Sequence, residues 1–218
     1  MKRDLRATWL QGIGTLFAPV IVVLCIRWVL FEPFVIPSES MVPTLLIHDH
    51  IFASKLAYGL RMPFGSGFIW RWGSPHRGDI VVFKFPLNPD VFYVKRAIGL
   101  PGDRIKMQDR RVWINGEALP LEQQGANFLE GIPPHKVRYI SDESGDFSEV
   151  VVPPEHFFMM GDNRDRSSDS RVWGYLPIEN VVGRASLIWL SCDQTLSTAQ
   201  MMCDPATMRW QRMFKGIH

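Results

Sequence analysis

One apolar segment near the start of the chain constrains the fold more than any other feature. Residues 10–31 form a run of 22, of which 16 are hydrophobic and only Arg27 is charged. A helix of this length reaches roughly 33 Å, enough to cross a hydrocarbon core of about 30 Å. The sequence therefore predicts a transmembrane anchor over residues 10–31, followed by a globular body over residues 32–218.

The charges on either side of this segment predict its orientation. Lys2, Arg3 and Arg6 precede it, whereas no lysine or arginine occurs between Phe31 and Ser54. The positive-inside rule then places residues 1–9 in the cytoplasm and the body outside. Two alternatives stay open, a buried core helix and a cleaved signal peptide. The run exceeds the usual ~7–15 residues of a signal peptide core, and no small-x-small cleavage site follows it.

The body has the composition of an ordinary globular domain. The chain has 218 residues, a net charge of +2 and 21% charged residues, which gives no reason to expect disorder or nucleic-acid binding. Cys192 and Cys203, 11 residues apart, could form a disulfide in an oxidising compartment or remain two free thiols.

Beyond the anchor the sequence favours β-structure. Short runs rich in Val, Ile, Phe and Tyr are separated by Gly, Pro, Asn and Asp, and no helical periodicity appears between Pro37 and Asp193. Asn115-Gly116 is a strong hairpin signal. The strands predicted most clearly cover residues 51–55, 79–85, 91–98, 136–141, 150–152, 156–160 and 181–190. We expect a mainly β, antiparallel-rich sheet or partial barrel behind a single transmembrane helix, with the polar residues 119–147 as a small inserted subdomain.

The first residues beyond the anchor contain a candidate nucleophile. Ser38 and Ser40 lie between Pro37 and Pro43, and such a segment cannot form a helix interior. Serine is a poor nucleophile without a base. None of the six histidines has a triad context, and no G-x-S-x-G motif occurs.

Neither of two metal-like patterns is complete. His48-Asp49-His50 lacks an apparent third ligand, and the run that starts at Asp162 has Arg164 and Arg166 where a calcium loop needs oxygen ligands. We therefore predict no metal and no cofactor.

Lysine remains as the base. Lys95 lies in an apolar β run, and burial can lower a lysine pKa by about 3–5 units, which makes the neutral amine available. The pattern alone does not decide whether Lys95 or Arg96 faces inward, and a lysine extending from an edge strand into solvent stays an alternative.

The chain resembles the bacterial type I signal peptidases, a family of membrane-bound Ser/Lys-dyad proteases. Four segments carry the resemblance in the family's order: PSESMVPTLL (37–46), RGDIVVFKFP (77–86), YVKRAIGLPGD (93–103) and GDNRDRSSDSR (161–171). Three positions depart from residues common in the family, namely Glu39, Arg166 and Ser168, and these departures concern fine specificity.

The resemblance implies a role for each matching residue. Ser40 matches the nucleophile and Lys95 the general base, while the Ser38 hydroxyl and the Ser40 N–H match the oxyanion hole. Ser167 matches the serine that orients the lysine amine. Residues implied to support the site are Gly161, Asp162, Asp169 and Arg171. Residues implied to line the substrate pockets are Phe34, Ile36, Pro37, Met41, Leu45, Tyr93 and Val94.

The resemblance also implies a function. A member of this family removes signal peptides from exported preproteins after a small-x-small site. The expected partners are preprotein signal peptides and the lipid bilayer, and the expected location is the inner membrane with the catalytic domain on the periplasmic side. Three alternatives stay open: a specialised Ser/Lys peptidase with one substrate, a Ser-His-Asp hydrolase, and a non-enzymatic membrane-tethered β-domain.

Overall fold

The computed structural model describes residues 14–15, 17–24, 29–62, 67–131, 133–141, 145–196 and 199–217. Residues 14–15, 17–24 and 29 are helical, and residues 1–9 of the predicted cytoplasmic segment lie outside the described residues. Within the described part of the chain, no helix combines the length and apolar character needed to cross a membrane. Phe31, at the end of the predicted anchor, is the first residue of a strand.

Strands make up most of the body. In chain order they are β1 Phe31–Val35, β2 Asp49–Ser54, β3 Gly59–Arg61, β4 Phe68–Arg71, β5 Ile80–Phe85, β6 Asn88–Gly99, β7 Arg104–Gln108, β8 Arg111–Ile114, β9 Glu117–Ala118, β10 Leu121–Gln124, β11 Asn127–Glu130, β12 His135–Val137, β13 Phe147–Val151, β14 His156–Met160, β15 Leu176–Pro177, β16 Val181–Ser191, β17 Thr195–Leu196, β18 Ala199–Cys203 and β19 Lys215–Gly216. One short helix, α1, covers Ser170–Trp173. Single 3₁₀ turns cover Lys55–Ala57, Arg164–Arg166, Ile178–Asn180, Pro205–Thr207 and Trp210–Arg212.

The main sheet has eight strands and positions the site. Its order is β1-β2-β16-β5-β6-β14-β15, and β19 pairs with the second half of β16. All pairs of named strands described are antiparallel, and the sheet does not close into a barrel. The predicted mainly β, antiparallel class is therefore confirmed.

Smaller sheets surround the main one. The order β13-β7-β8-β9 forms a four-stranded sheet, β10-β11-β12 a three-stranded one within the polar residues 119–147, and β3-β4 and β17-β18 form hairpins. The predicted hairpin at Asn115-Gly116 is confirmed, since these residues join β8 to β9 with φ of 52° and 88°. Cys192 and Cys203 form a disulfide with a Cα–Cα distance of 5.6 Å, which ties the β17-β18 hairpin to the end of β16.

Apolar side chains of the main sheet form the core beneath the candidate nucleophile. Met41 and Leu45 pack there with Ile36 and Ile51, and none of the four is more than 3% exposed. The side chains of Met41 and Leu45 come from the loop between β1 and β2, so their burial fixes that loop on the sheet.

Candidate active site

The loop between β1 and β2 holds Ser38 and Ser40 in a fixed conformation. The carboxylate of Asp49 fastens its far end, because it accepts hydrogen bonds from the backbone N–H of Leu46 at 2.8 Å, from Ser191 Oγ at 2.6 Å and from Arg212 Nη2 at 2.6 Å. These bonds give Asp49 a structural role in fixing the loop. Ser40 is 7% exposed, and its side chain lies above the packed Met41.

Strand β6 carries the lysine. Alternation along the strand directs the Lys95 and Arg96 side chains to opposite faces, and both are buried. The Lys95 Nζ atom donates to Ser40 Oγ at 2.6 Å and to the carbonyl oxygen of Val94 at 3.1 Å. The ring of Tyr93 lies with its centroid 5.3 Å from Nζ. The amine is thus directed at the serine hydroxyl.

The surroundings of Lys95 increase the fraction of its amine that is neutral. Burial lowers the pKa of Lys95 to about 8, although the negative charges of Asp169 and Asp162 oppose this shift. With a pKa of about 8, roughly one lysine in ten is neutral at pH 7, against about one in two thousand for a free lysine.

A second hydroxyl lies beside the first. Ser38 Oγ is 3.2 Å from Ser40 Oγ. Ser40 Oγ therefore contacts one amine and one hydroxyl, and among the described residues no histidine nitrogen bonds to it. His50 is instead buried with its ring edge against Trp189, and burial lowers its pKa. Within the described residues no three His, Cys, Asp or Glu side chains form a group able to hold a metal.

The segment after β14 packs directly on the loop between β1 and β2. Asn163 N donates to the Ser40 carbonyl oxygen at 3.0 Å, and Asn163 Nδ2 donates to that of Glu39 at 3.1 Å. A Cβ atom on Gly161 would lie 2.5 Å from the Ser40 carbonyl oxygen and 2.2 Å from Ser167 Oγ. Only glycine allows this close approach.

Asp169 organises the same segment. It accepts from Gly161 N at 3.0 Å and forms an ion pair with Arg171 Nε at 2.8 Å. Burial alone would raise the pKa of Asp169, but the bonds and charge of Arg171 hold it below its ordinary value. Ser167 Oγ is buried beside Gly161, and Ser167 contributes to lowering the pKa of Asp169. The amine of Lys95 bonds to Ser40 and Val94 rather than to Ser167.

Two buried ion pairs underlie the site. Arg96 binds Asp162 through Nε–Oδ1 at 2.9 Å and Nη2–Oδ2 at 2.8 Å, and Thr44 Oγ1 donates to the same carboxylate. Arg164 binds Glu130 in the same bidentate manner. Neither of these two ion pairs was predicted from the sequence. The charged Arg96 within an apolar strand was the available signal for the first pair, whereas Glu130 lies in a polar stretch that gives no signal.

A cleft of about 400 Å³ leads to Ser40. Its walls come from β1 and β6, and six of the seven predicted pocket residues line it: Phe34, Ile36, Pro37, Met41, Tyr93 and Val94. Leu45 does not. It is fully buried in the core below, because the loop turns inward after Pro43 to anchor itself. Arg166 and Ser168 complete the cleft beside Ser38, Ser40 and Lys95.

Comparisons with known proteins identify the family of the chain. The family model described as signal peptidase, peptidase S26, matches residues 8–190. A signal peptidase I of Pseudomonas fluorescens is 40% identical over 206 residues, covering 82% of this chain and 72% of that protein. One from Pseudomonas aeruginosa is 37% identical over 209 residues with the same coverage.

A solved structure is also similar. The crystal structure of a signal peptidase I from Enterococcus faecalis V583 aligns with a TM-score of 0.41 and 32% sequence identity, over 51% of this chain and 97% of that one. The family match and the two curated relatives cover most of the chain. The chain therefore belongs to the signal peptidase family, peptidase S26, and is a serine peptidase of the signal peptidase I type.

Proposed function

We propose that this peptidase removes N-terminal signal peptides from exported preproteins after a small-x-small site, with Ser40 as nucleophile and Lys95 as general base. The observation that carries the proposal is the 2.6 Å contact between Lys95 Nζ and Ser40 Oγ. It lies at the end of an open cleft, and burial gives Lys95 a pKa of about 8.

The reaction proceeds through an acyl-enzyme. Neutral Lys95 accepts the Ser40 proton as Oγ attacks the scissile carbonyl carbon, and the ammonium then protonates the leaving amine. Lys95 next accepts a proton from water, which attacks the ester and releases the signal peptide as a carboxylate while Ser40 regains its proton. The Ser40 N–H and the Ser38 hydroxyl bind the oxyanion, and losing one such donor typically costs ~2.7–4 kcal/mol.

Residues of the segment after β14 position these groups. The buried hydroxyl of Ser167 lies next to Gly161, where it can orient the Lys95 amine once that amine leaves Ser40. The negative charges of Asp169 and Asp162 raise the pKa of Lys95 and so oppose part of the effect of burial. An intermediate pKa suits an amine that must both accept and donate a proton. Arg171 holds Asp169 in place.

The substrate binds as an added strand. Among the described residues, β1 pairs only with β2, and residues 92–95 of β6 pair only with β5. The ring centroids of Phe34 and Phe92 are 5.3 Å apart, so these two free strand edges meet at the cleft. An extended peptide between them places alternate side chains in the apolar walls. Shallow walls suit the small residues at positions −1 and −3.

The enzyme works at a membrane surface with its body on the periplasmic side of the inner membrane. Support comes from the exposed apolar side chains of the helical residues, Phe17 and residues 20–24, and from the basic residues that precede them. Trp70 and Trp72 are also exposed and suit the interface, whereas Trp189 stacks on Phe52. Anchoring enzyme and preprotein in one bilayer raises their effective concentration.

Cleavage of a preprotein by the full chain in detergent tests the proposal. We expect a new N-terminus directly after an Ala-x-Ala sequence. Changing Ala to Leu at position −1 is expected to lower kcat/KM by about 5- to 150-fold, because overfilling a shallow pocket costs about 1–3 kcal/mol. The matched control is Ala to Leu at position −2, whose side chain points away from the pocket wall.

Equal cleavage of the −1 and −2 Leu preproteins would contradict this specificity, as would a product that begins elsewhere. A panel of unrelated preproteins separates a general signal peptidase from one with a single dedicated substrate, since only the general enzyme cleaves all of them.

Activity is expected to rise with pH through the pKa of Lys95. Only the neutral amine accepts the Ser40 proton, so kcat/KM falls about tenfold per pH unit below a midpoint of about 8 and levels off above it. A pH profile from 6 to 10 with an uncharged peptide substrate measures this midpoint. A profile that is flat across this range, or one centred near the pKa of an ordinary histidine, would exclude Lys95 as the base.

A further inference from the structure

An ion pair joins the two loops at the catalytic end of the cleft. Arg166 Nη1 lies 2.7 Å from Glu39 Oε1, and the two side chains are 55% and 40% exposed. Glu39 directly precedes the nucleophile, and its backbone carbonyl is already fixed by Asn163. The proposed chemistry uses neither charge.

The direction of the cleft shows which part of a substrate meets this pair. Four antiparallel pairings connect β1 to β6 through β2, β16 and β5, so β1 and β6 run in the same direction. Ser40 lies in the loop that follows β1, and Lys95 lies in the second half of β6. The strand residues of the apolar walls precede Ser40 and Lys95 in the chain, and the pair with Glu39 places Arg166 beside Ser40. A peptide whose small residues fill the apolar walls therefore reaches Arg166 just after its scissile bond.

The two charges differ in their access to the substrate. Arg166 lines the cleft, whereas Glu39 is not part of its wall. Within the described residues, one guanidinium nitrogen of Arg166 bonds to Glu39 and the other N–H groups of this side chain have no partner. A guanidinium has five N–H donors, so Arg166 can bind a carboxylate while Glu39 holds it in place.

We infer that Arg166, positioned by Glu39, selects an acidic residue at the first or second position after the scissile bond. This inference rests on the proposed function, because it needs the peptide to be cleaved at Ser40. Exposed ion pairs contribute about 0.2–1 kcal/mol, so the expected preference for Glu over Gln is about 1.5- to 5-fold in kcat/KM. Lys at the same position is expected to be cleaved more slowly than Gln.

Peptides that differ in one residue test this inference with the full chain in detergent. All carry the same Ala-x-Ala signal side and have Glu, Gln or Lys at the first or the second position after the scissile bond. The measured quantity is the ratio of kcat/KM for Glu to that for Gln. We expect Arg166→Gln to bring the ratio to about 1 and Glu39→Gln to raise it, because the guanidinium then loses its internal partner. Sodium chloride at about 1 M, where the Debye length is about 3 Å, is expected to bring the wild-type ratio close to 1.

Arg104→Gln is the matched control. Arg104, on β7, forms a similarly exposed pair with Glu149, on β13, at 3.1 Å, and Arg104 is not part of the cleft. Arg104→Gln removes the same charge as Arg166→Gln but outside the cleft, so the wild-type ratio of kcat/KM for Glu to Gln is expected to persist. Equal cleavage of the three peptides by the wild type overturns this inference and leaves the proposed function intact, as does an unchanged ratio in Arg166→Gln. If the wild type cleaves none of them, the proposed function fails and this inference fails with it.

Discussion

Replacing Ser40 or Lys95 with alanine is expected to lower the rate of preprotein cleavage by about 10⁴-fold. Ser40→Ala removes the attacking oxygen, and Lys95→Ala removes the group that accepts its proton, a step that is worth about 10²–10⁴-fold for a positioned base. Because the two side chains act as one unit at 2.6 Å, the double variant is expected to be no slower than either single variant. Initial rates of cleavage by the full chain in detergent measure all three.

Lys95→Arg tests whether the reaction needs a proton acceptor or only a positive charge at this position. Arginine keeps a cation but does not lose its proton in proteins, so this variant is expected to be as inactive as Lys95→Ala. Ser148→Ala and Lys136→Ala are matched controls, since both residues are exposed and lie on β13 and β12, away from the cleft. Wild-type rates in Ser40→Ala or Lys95→Ala would refute the dyad, and an equal loss in His50→Ala or His156→Ala would favour the Ser-His-Asp alternative.

The strand pattern was predictable where alternation or a turn signal is strong. Residues 156–160 form β14 as predicted, because five consecutive large side chains fill a buried strand. The Asn115-Gly116 turn follows from backbone chemistry alone. Strand β1 was not predicted, since its first residue, Phe31, also ends the predicted anchor and Pro33 argues against a central strand. Its position at the sheet edge is what makes that proline acceptable.

The candidate residues were identified by motif, but their geometry depends on contacts distant in sequence. Pattern alone could not decide between Lys95 and Arg96, because both faces of β6 are buried and each charge has its own partner. Leu45 matches a pocket residue by its place in the motif, yet the loop turns after Pro43 and places the Leu45 side chain in the core. Such turns are set by tertiary packing rather than by local sequence.

The buried pair of Arg96 and Asp162 explains how Lys95, the proposed general base, is held at this position. Each side chain is 1% exposed, so neither charge is solvated by bulk water. Burial alone would raise the pKa of Asp162, but the adjacent Arg96 lowers it below the ordinary value and keeps the carboxylate ionised. Arg96 also donates to the Gly78 carbonyl oxygen at 2.7 Å. Strand β6 is thus fixed to its neighbours at the residue that follows Lys95.

Asp162→Asn is therefore expected to lower the free energy of unfolding by about 3–5 kcal/mol, because it removes the carboxylate that pairs with the buried Arg96 charge. For a chain of this size each kcal/mol corresponds to about 2–4 °C in Tm. Asp193→Asn is the matched control: Asp193 pairs with Arg209 at 2.6 Å but is 66% exposed, and such a pair is worth at most about 1 kcal/mol. Thermal and urea unfolding of the full chain in detergent measure both.

A second variant separates a buried ion pair from a purely steric effect. Arg96→Met combined with Asp162→Leu removes both charges, and its loss of stability is expected to be smaller than the sum of the two single losses. Asp162→Asn also removes a negative charge that raises the pKa of Lys95, so the midpoint of its pH–activity profile is expected to fall below 8. Additive losses would show that the charges do not interact, and an unshifted midpoint would show that Asp162 does not act on Lys95.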